Sequence, residues 1–166
     1  MIRSAKIMLL GDIAVGKTSL AKRLVFDRFD TDYKTTIGVN VLSHDLRVEE
    51  GENGLLRLVV WDTDGDFSHA IFNTTYVVGA SAAIVVGDAS RPATIEKMDG
   101  LAEAFETRFP GRPVAAVLNK IDLAPAGFAP PASLARRNPV RTSALTGEGV
   151  AGMFLDIARA IRRREL

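Results

Sequence analysis

Six short strand signals, runs of apolar or alternating residues, recur along this chain and alternate with helix signals. The runs fall at 5–10, 39–48, 56–62, 82–88, 114–119 and 140–142. Each has the length of a strand. Residues 82–86 and 114–118 are apolar without interruption, as expected of strands covered by helices on both faces. Helices are predicted at 17–26, around 67–78, at 92–108 and at 150–163. In the last of these, Val150, Phe154, Ile157, Ala158 and Ile161 form one core-facing stripe. The alternation predicts an α/β fold: a six-stranded, mostly parallel sheet with helices on both faces. Glu50-Gly51-Glu52-Asn53-Gly54 carries an Asn-Gly turn between the second and third runs, so that pair is expected to be an antiparallel hairpin at the edge. The Pro/Ala-rich stretch 123–132 reads as a loop, followed at most by a turn or two of helix at 132–137.

At 166 residues the chain is expected to form one domain, 1–166, large enough for a proper core. Charged residues make up 25%, with net charge +1, so neither a nucleic-acid-binding excess of base nor a disordered acidic chain is indicated. There is no cysteine, which excludes disulfides, thiolate chemistry, cysteine-based zinc sites and cysteine-linked lipid anchors from the residues given. The first strand begins too early to leave room for a signal peptide, and no apolar run could span a bilayer, so a cytoplasmic protein is expected. Arg162-Arg163-Arg164 reads first as a helix C-terminus whose cations complement the dipole, with a weak electrostatic membrane or partner contact as the alternative. His44 and His69 are unclustered and read as surface or switch residues.

Two motifs carry chemistry. Gly11-Asp12-Ile13-Ala14-Val15-Gly16-Lys17-Thr18 matches GxxxxGK[ST] and lies between a predicted strand and a predicted helix. That order aims successive backbone N–H groups and a helix N-terminus at one anion. Lys17 would reach the β/γ-phosphates and the Thr18 hydroxyl would ligate Mg²⁺. The second motif, Asn119-Lys120-Ile121-Asp122, ends a buried strand. Guanine presents N1–H and an exocyclic amine side by side, and one carboxylate, Asp122, can accept from both. Adenine offers no such pair. Lys120 can lay its methylene stem along the base.

With Tyr33-Lys34-Thr35-Thr36-Ile37-Gly38-Val39, Trp61-Asp62-Thr63-Asp64-Gly65, Thr142-Ser143-Ala144-Leu145 and the stretch from Tyr76 to Asp88, these motifs resemble the Ras superfamily of small GTPases, the Rab branch most closely. The resemblance extends from about residue 5 to residue 163 and implies the P-loop small G-protein fold. Roc-type domains cut from larger chains share the same motifs, and the Ala/Arg-rich composition suggests a prokaryotic relative.

The resemblance also implies roles. Ile13, Ala14, Val15, Gly16, Lys17, Thr18 and Ser19 would hold the phosphates, and Phe29, at the end of the first helix, and Tyr33 would flank the nucleotide. Phe29 as an ordinary core contact is the competing reading. Asn119, Lys120, Asp122, Ser143, Ala144 and Leu145 would form the base pocket, with the Ala144 N–H on the guanine O6. Thr18 would ligate Mg²⁺, Thr36 would join it when a γ-phosphate is present, and Asp62 would hold it through water. Lys17, Thr36, Gly65 and Asp66 would surround the reacting phosphate. Trp61 reads as core more readily than as a nucleotide contact, because strand faces alternate and Asp62 takes the site side. Effectors, an exchange factor and a GTPase-activating protein would bind through residues 29–41 and 63–78, the protein being a monomer or a nucleotide-dependent dimer.

Departures from the pattern bear on turnover. Where relatives carry Ala-Gly-Gln-Glu, this chain has Asp64-Gly65-Asp66-Phe67. Asp66 lacks the amide that would orient water, and Ile13 fills a loop position usually held by a small residue. Unassisted hydrolysis is therefore expected at or below about 3–5 × 10⁻⁴ s⁻¹, the unassisted Ras rate. The alternative is a GTP/GDP-binding scaffold without useful turnover. A metabolic P-loop kinase fits poorly, since no acceptor-binding lid is evident.

Overall fold

A computed structural model describes residues 2–32, 36–51, 53–63, 65 and 68–165. Strands β1 (Arg3–Gly11), β2 (Val39–Arg47), β3 (Leu55–Thr63), β4 (Ala82–Asp88), β5 (Val114–Asn119) and β6 (Val140–Arg141) form a sheet in the order β2-β3-β1-β4-β5-β6. Only β2 and β3 pair antiparallel, with Asp45 opposite Arg57, as the hairpin reading requires. The chain order reverses at β1, whose neighbours are β3 and β4. In an open α/β sheet a crevice opens beyond the strand ends at such a switch point, and here the phosphate-loop motif follows directly.

The uninterrupted apolar strands are explained by two cores. Ile7 and Leu9 of β1 and Ile84 and Val86 of β4 face α1 (Lys17–Phe26) and α5 (Val150–Glu165), burying Leu20, Phe154 and Ile157. Met8, Leu10 and Val85 face the other way, toward Ile95 of α2 (Pro92–Glu96) and Met98, Leu101 and Phe105 of α3 (Met98–Arg108). All five residues of the stripe predicted in the last helix are buried.

Three local readings need correction. The helix predicted around 67–78 is instead two 3₁₀ turns, Ser68–Asn73 and Thr75–Val77. Thr74 between them is extended, its hydroxyl donating to the Ile71 carbonyl at 2.6 Å and accepting from the Tyr76 N–H at 3.3 Å. A side chain that satisfies backbone groups locally competes with the helical ladder. The helix predicted over 92–108 is divided at Lys97 into α2 and α3, although Lys97 keeps right-handed helical angles. The turn or two of helix read at 132–137 agrees with the single turn α4 (Ala132–Ala135), beyond which Asn138 is left-handed ahead of Pro139. Lastly, α1 ends at Phe26 with left-handed Asp27 as its cap, so Phe29 lies in the following loop.

Candidate functional site

The first turn after β1 is shaped by contacts a side chain would prevent. A Cβ on Gly16, where φ is 101°, would lie 2.2 Å from the Asn119 Nδ2, so only glycine lets that amide close over the loop. Lys17 is nearly buried and curls back, its ammonium donating to the Gly11 and Asp12 carbonyls at 2.8 Å each. These bonds satisfy the charge while holding it over the loop. Beside it opens a cleft of about 330 Å³ lined by Ile13, Ala14, Gly16, Lys17, Thr18, Ser19, Phe29, Thr36, Gly65, Asn119, Lys120, Asp122, Ala144 and Leu145. Fourteen of the expected nucleotide residues, spread over more than 130 positions, thus share one cavity. Val15 and Ser143 stand behind its wall, buried. Tyr33, Asp64 and Asp66 lie outside the described residues.

One end of the cleft is polar and planar in character. Asn119, 1% exposed, donates to the Val15 carbonyl at 3.0 Å and accepts from the Thr142 hydroxyl at 3.0 Å and the Ala144 N–H at 3.3 Å. It fastens the phosphate loop to the 142–145 loop. Asn119→Ala leaves these buried groups unmatched and is expected to cost about 2–4 kcal/mol, read as a lowered midpoint in thermal melting. Ser143 donates to Asp122 Oδ1 at 2.8 Å, fixing the carboxylate's orientation toward the cleft. Lys120 reaches the Ala14 carbonyl at 2.7 Å.

At the other end, three oxygens converge. Thr18 Oγ1 lies 2.5 Å from Asp62 Oδ2 and 2.7 Å from Thr36 Oγ1. Asp62 is 1% exposed and its Oδ1 has no hydrogen-bond partner among the described residues. Burial pushes its carboxyl above the ordinary range, opposed by the Thr18 bond and by the nearby charges of Lys17 and Lys22. An unmatched buried oxygen beside two hydroxyls fits a small hard cation that keeps waters and takes other ligands from phosphate. Among the described residues no three His, Asp or Glu side chains converge on a metal position. Gly65 packs so tightly on the loop that a Cβ there would sit 2.4 Å from the Ile13 nitrogen.

Trp61 lies off the cleft, half-buried against the α3-side core, with the Lys6 ammonium 3.7 Å from its ring centroid. Phe29 packs on the α1–α5 core and also lines the cleft. Sequence reading missed Arg23, which donates from α1 to the Ala144 and Leu145 carbonyls at 2.9 and 2.7 Å. It also missed Asp30, Thr31 and Asp32 in the cleft wall, and buried Asp88, 3.1 Å from the Lys120 ammonium. Arg23, Asp30, Thr31 and Asp32 stand outside the motifs singled out in the sequence, and Asp88 only ends one of them.

Residues 6–122 match the family model described as Ras of Complex, Roc, domain of DAPkinase. The "GTP-binding protein ypt5" of Schizosaccharomyces pombe is 36% identical over 164 residues, covering 94% of this chain and 77% of that protein. The "Ras-related protein RABF2a" of Arabidopsis thaliana is 32% identical over 167 residues, covering 96% of this chain and 82% of its own. With the sheet order, the phosphate loop and these likenesses in agreement, the chain belongs to the Ras superfamily, among its Rab-like small GTPases.

Proposed function

We propose that this protein binds GTP and GDP with Mg²⁺ as a conformational switch and hydrolyses GTP slowly. The observation that carries the reading is the single cleft with a carboxylate held by Ser143 at one end and the Lys17–Thr18–Thr36–Asp62 group at the other. On this reading the base would lie at the Asp122 end and the phosphates at the Lys17 end. Asp122 would take the guanine N1–H and amine, and Lys17 would leave its carbonyl partners for the phosphates. Thr18 and Thr36 would ligate Mg²⁺ and Asp62 would hold it through water. Held by these residues, Mg²⁺ would supply charge neutralisation for the phosphates. Thr36 and the Gly65 N–H would read the γ-phosphate, so its loss would release residues 36–38 and 63–78. The exposed apolar side chains Ile37, Val41, Tyr76 and Val78 lie in or beside those segments and suit a surface read by an effector or by exchange and activating proteins.

Slow turnover rests on the sequence at Asp66. A carboxylate can accept from water but cannot donate to the γ-phosphate, and it adds like charge beside a polyanion. The same residue favours the second reading, a scaffold that holds nucleotide without turnover. Single-turnover hydrolysis of preloaded GTP tests both at two protein concentrations. Slow, concentration-independent conversion supports the switch, and faster conversion at high concentration supports a dimer that completes the site. Intact GTP after days selects the scaffold. Asp66→Gln is expected to raise the single-turnover rate by about tenfold or more, since positioned general catalysis contributes factors of 10²–10⁴. An unchanged rate removes Asp66 as the cause. Among the described residues no helix is long and apolar enough to cross a membrane, and a cytoplasmic setting belongs to the same proposal.

A further inference from the structure

The phosphate loop is gripped at three successive residues by cations from three separate places, two of which, Arg91 and Lys97, do not line the cleft. Lys97, just ahead of α3, pairs with Asp12 Oδ2 at 2.7 Å. Arg91, in the turn before α2, donates to the Ile13 carbonyl at 3.0 Å. Lys120 takes the Ala14 carbonyl. Behind them Asp88, 1% exposed at the end of β4, offers Oδ1 to the Ser90 N–H and hydroxyl at 2.9 and 2.6 Å. Its Oδ2 faces the Lys120 ammonium at 3.1 Å and the Arg91 guanidinium at 4.0 Å. The Arg91 backbone is pinned in turn, its carbonyl accepting from the Thr94 hydroxyl at 2.7 Å while Thr94 also receives the Asp88 N–H at 2.9 Å.

From this arrangement we propose that Asp88, Arg91 and Lys97 brace the phosphate loop and set how tightly the protein retains the phosphates of a bound nucleotide. In a trans peptide the C=O and the following N–H point in opposite directions within one plane. Holding the Ile13 carbonyl therefore fixes the Ala14 N–H on the opposite side of that peptide, and Lys120 does the same for the Val15 N–H. Loading those carbonyls with cationic donors also polarises the amides toward any anion in the cleft. From its buried position Asp88 attracts both cations by charge, Lys120 at 3.1 Å and Arg91 more weakly at 4.0 Å, its Oδ2 making no hydrogen bond among the described residues, and Lys97 ties down the preceding residue. These are positioning residues: none touches the cleft contents, and Arg91 and Lys97 are about half exposed, with little share in the core.

The inference rests on the nucleotide reading, and the two can be tested separately. The test is the release rate of fluorescent mant-GDP, with competition by GDP and by millimolar GMP, for wild type, Arg91→Ala, Arg91→Lys, Lys97→Ala and Asp88→Asn. Arg91→Ala is expected to speed GDP release about tenfold, the factor set by one hydrogen bond to a charged group, and to leave GMP affinity within about twofold. Arg91→Lys should restore most of the retention. Lys97→Ala, losing a half-exposed ion pair, should change release about two- to threefold. If Asp88→Asn fails to fold by circular dichroism, the exposed Arg91 variants carry the test. Unchanged release in Arg91→Ala, or equal loss of GMP and GDP, overturns the brace. Failure of the wild type itself to take up mant-GDP overturns the nucleotide reading instead, before any variant is compared.

Discussion

Replacing Asp122 by Asn is expected to exchange the base preference of the cleft from guanine to xanthine nucleotides. A carboxylate accepts twice and donates nothing, so it matches the adjacent N1–H and amine of guanine. The isosteric amide accepts once and donates once, which matches the N1–H and C2 carbonyl of xanthine and opposes the guanine amine. The Ser143 hydroxyl, 2.8 Å from Asp122 Oδ1, holds the side chain at the same angle in either case. Asp122→Ala removes two charge-assisted hydrogen bonds without replacing them. At about 1.5–3 kcal/mol each, guanine nucleotide affinity should fall by about two to four orders of magnitude. Fluorescent-nucleotide titration of wild type, Asp122→Asn and Asp122→Ala with GDP and XDP checks both statements. Equal GDP affinity in wild type and Asp122→Ala would show that the base is read elsewhere. Asp122→Asn keeps an acceptor for the buried Ser143 hydroxyl, so unaltered thermal melting of that nucleotide-free variant is the folding control, whereas Asp122→Ala leaves the hydroxyl unmatched and is expected to melt lower, by up to about 1–3 kcal/mol.

What could be read from the sequence depended on how far apart the interacting residues lie. The phosphate loop and the 119–122 motif are contiguous, and each follows an apolar strand, so position along the chain already implied position at a strand end. The two-faced cores were legible for the same reason: a strand apolar on every residue has no solvent face, and a helix with apolar residues at 150, 154, 157 and 161 has one. The 67–78 segment was misread because the hydroxyl of Thr74, which serves backbone groups on either side of the break, leaves no mark in the pattern of apolar positions. Residues acting at a distance were invisible. Arg91 and Lys97 reach partners 78 and 85 residues away, and Arg23 reaches across 121 and 122. No local pattern marks such a residue, because what recommends it is an unfilled carbonyl on a loop far along the chain. Asp88 looked like the polar end of a strand, and its importance arises only from the cations that converge there.

Asp62 offers the sharper separation of stability from binding. In the metal-free protein its ionised form is disfavoured, since burial raises its carboxyl above the ordinary range and Oδ1 has no partner among the described residues. A carboxyl whose folded-state value exceeds its unfolded one opposes folding most fully above the folded value, and acidification through that value relieves the penalty. Mg²⁺ needs the ionised form, so its affinity should weaken over the same fall in pH. Asp62→Asn keeps the shape, removes the charge and supplies a donor. The metal-free variant is therefore expected to melt no lower than wild type and to gain up to about 1–3 kcal/mol, the penalty of an unmatched buried group. Its Mg²⁺ affinity should fall about 10–100-fold, the range for losing a carboxylate that supports a bound metal through water. Thermal melts in EDTA and in Mg²⁺, with GDP release followed under both, measure the two effects on the same samples. In wild type EDTA should accelerate release strongly, and in Asp62→Asn it should do so much less. A variant that melts lower without metal yet keeps its full response to EDTA would place the cation elsewhere, and would make the Thr18–Asp62 bond a structural one.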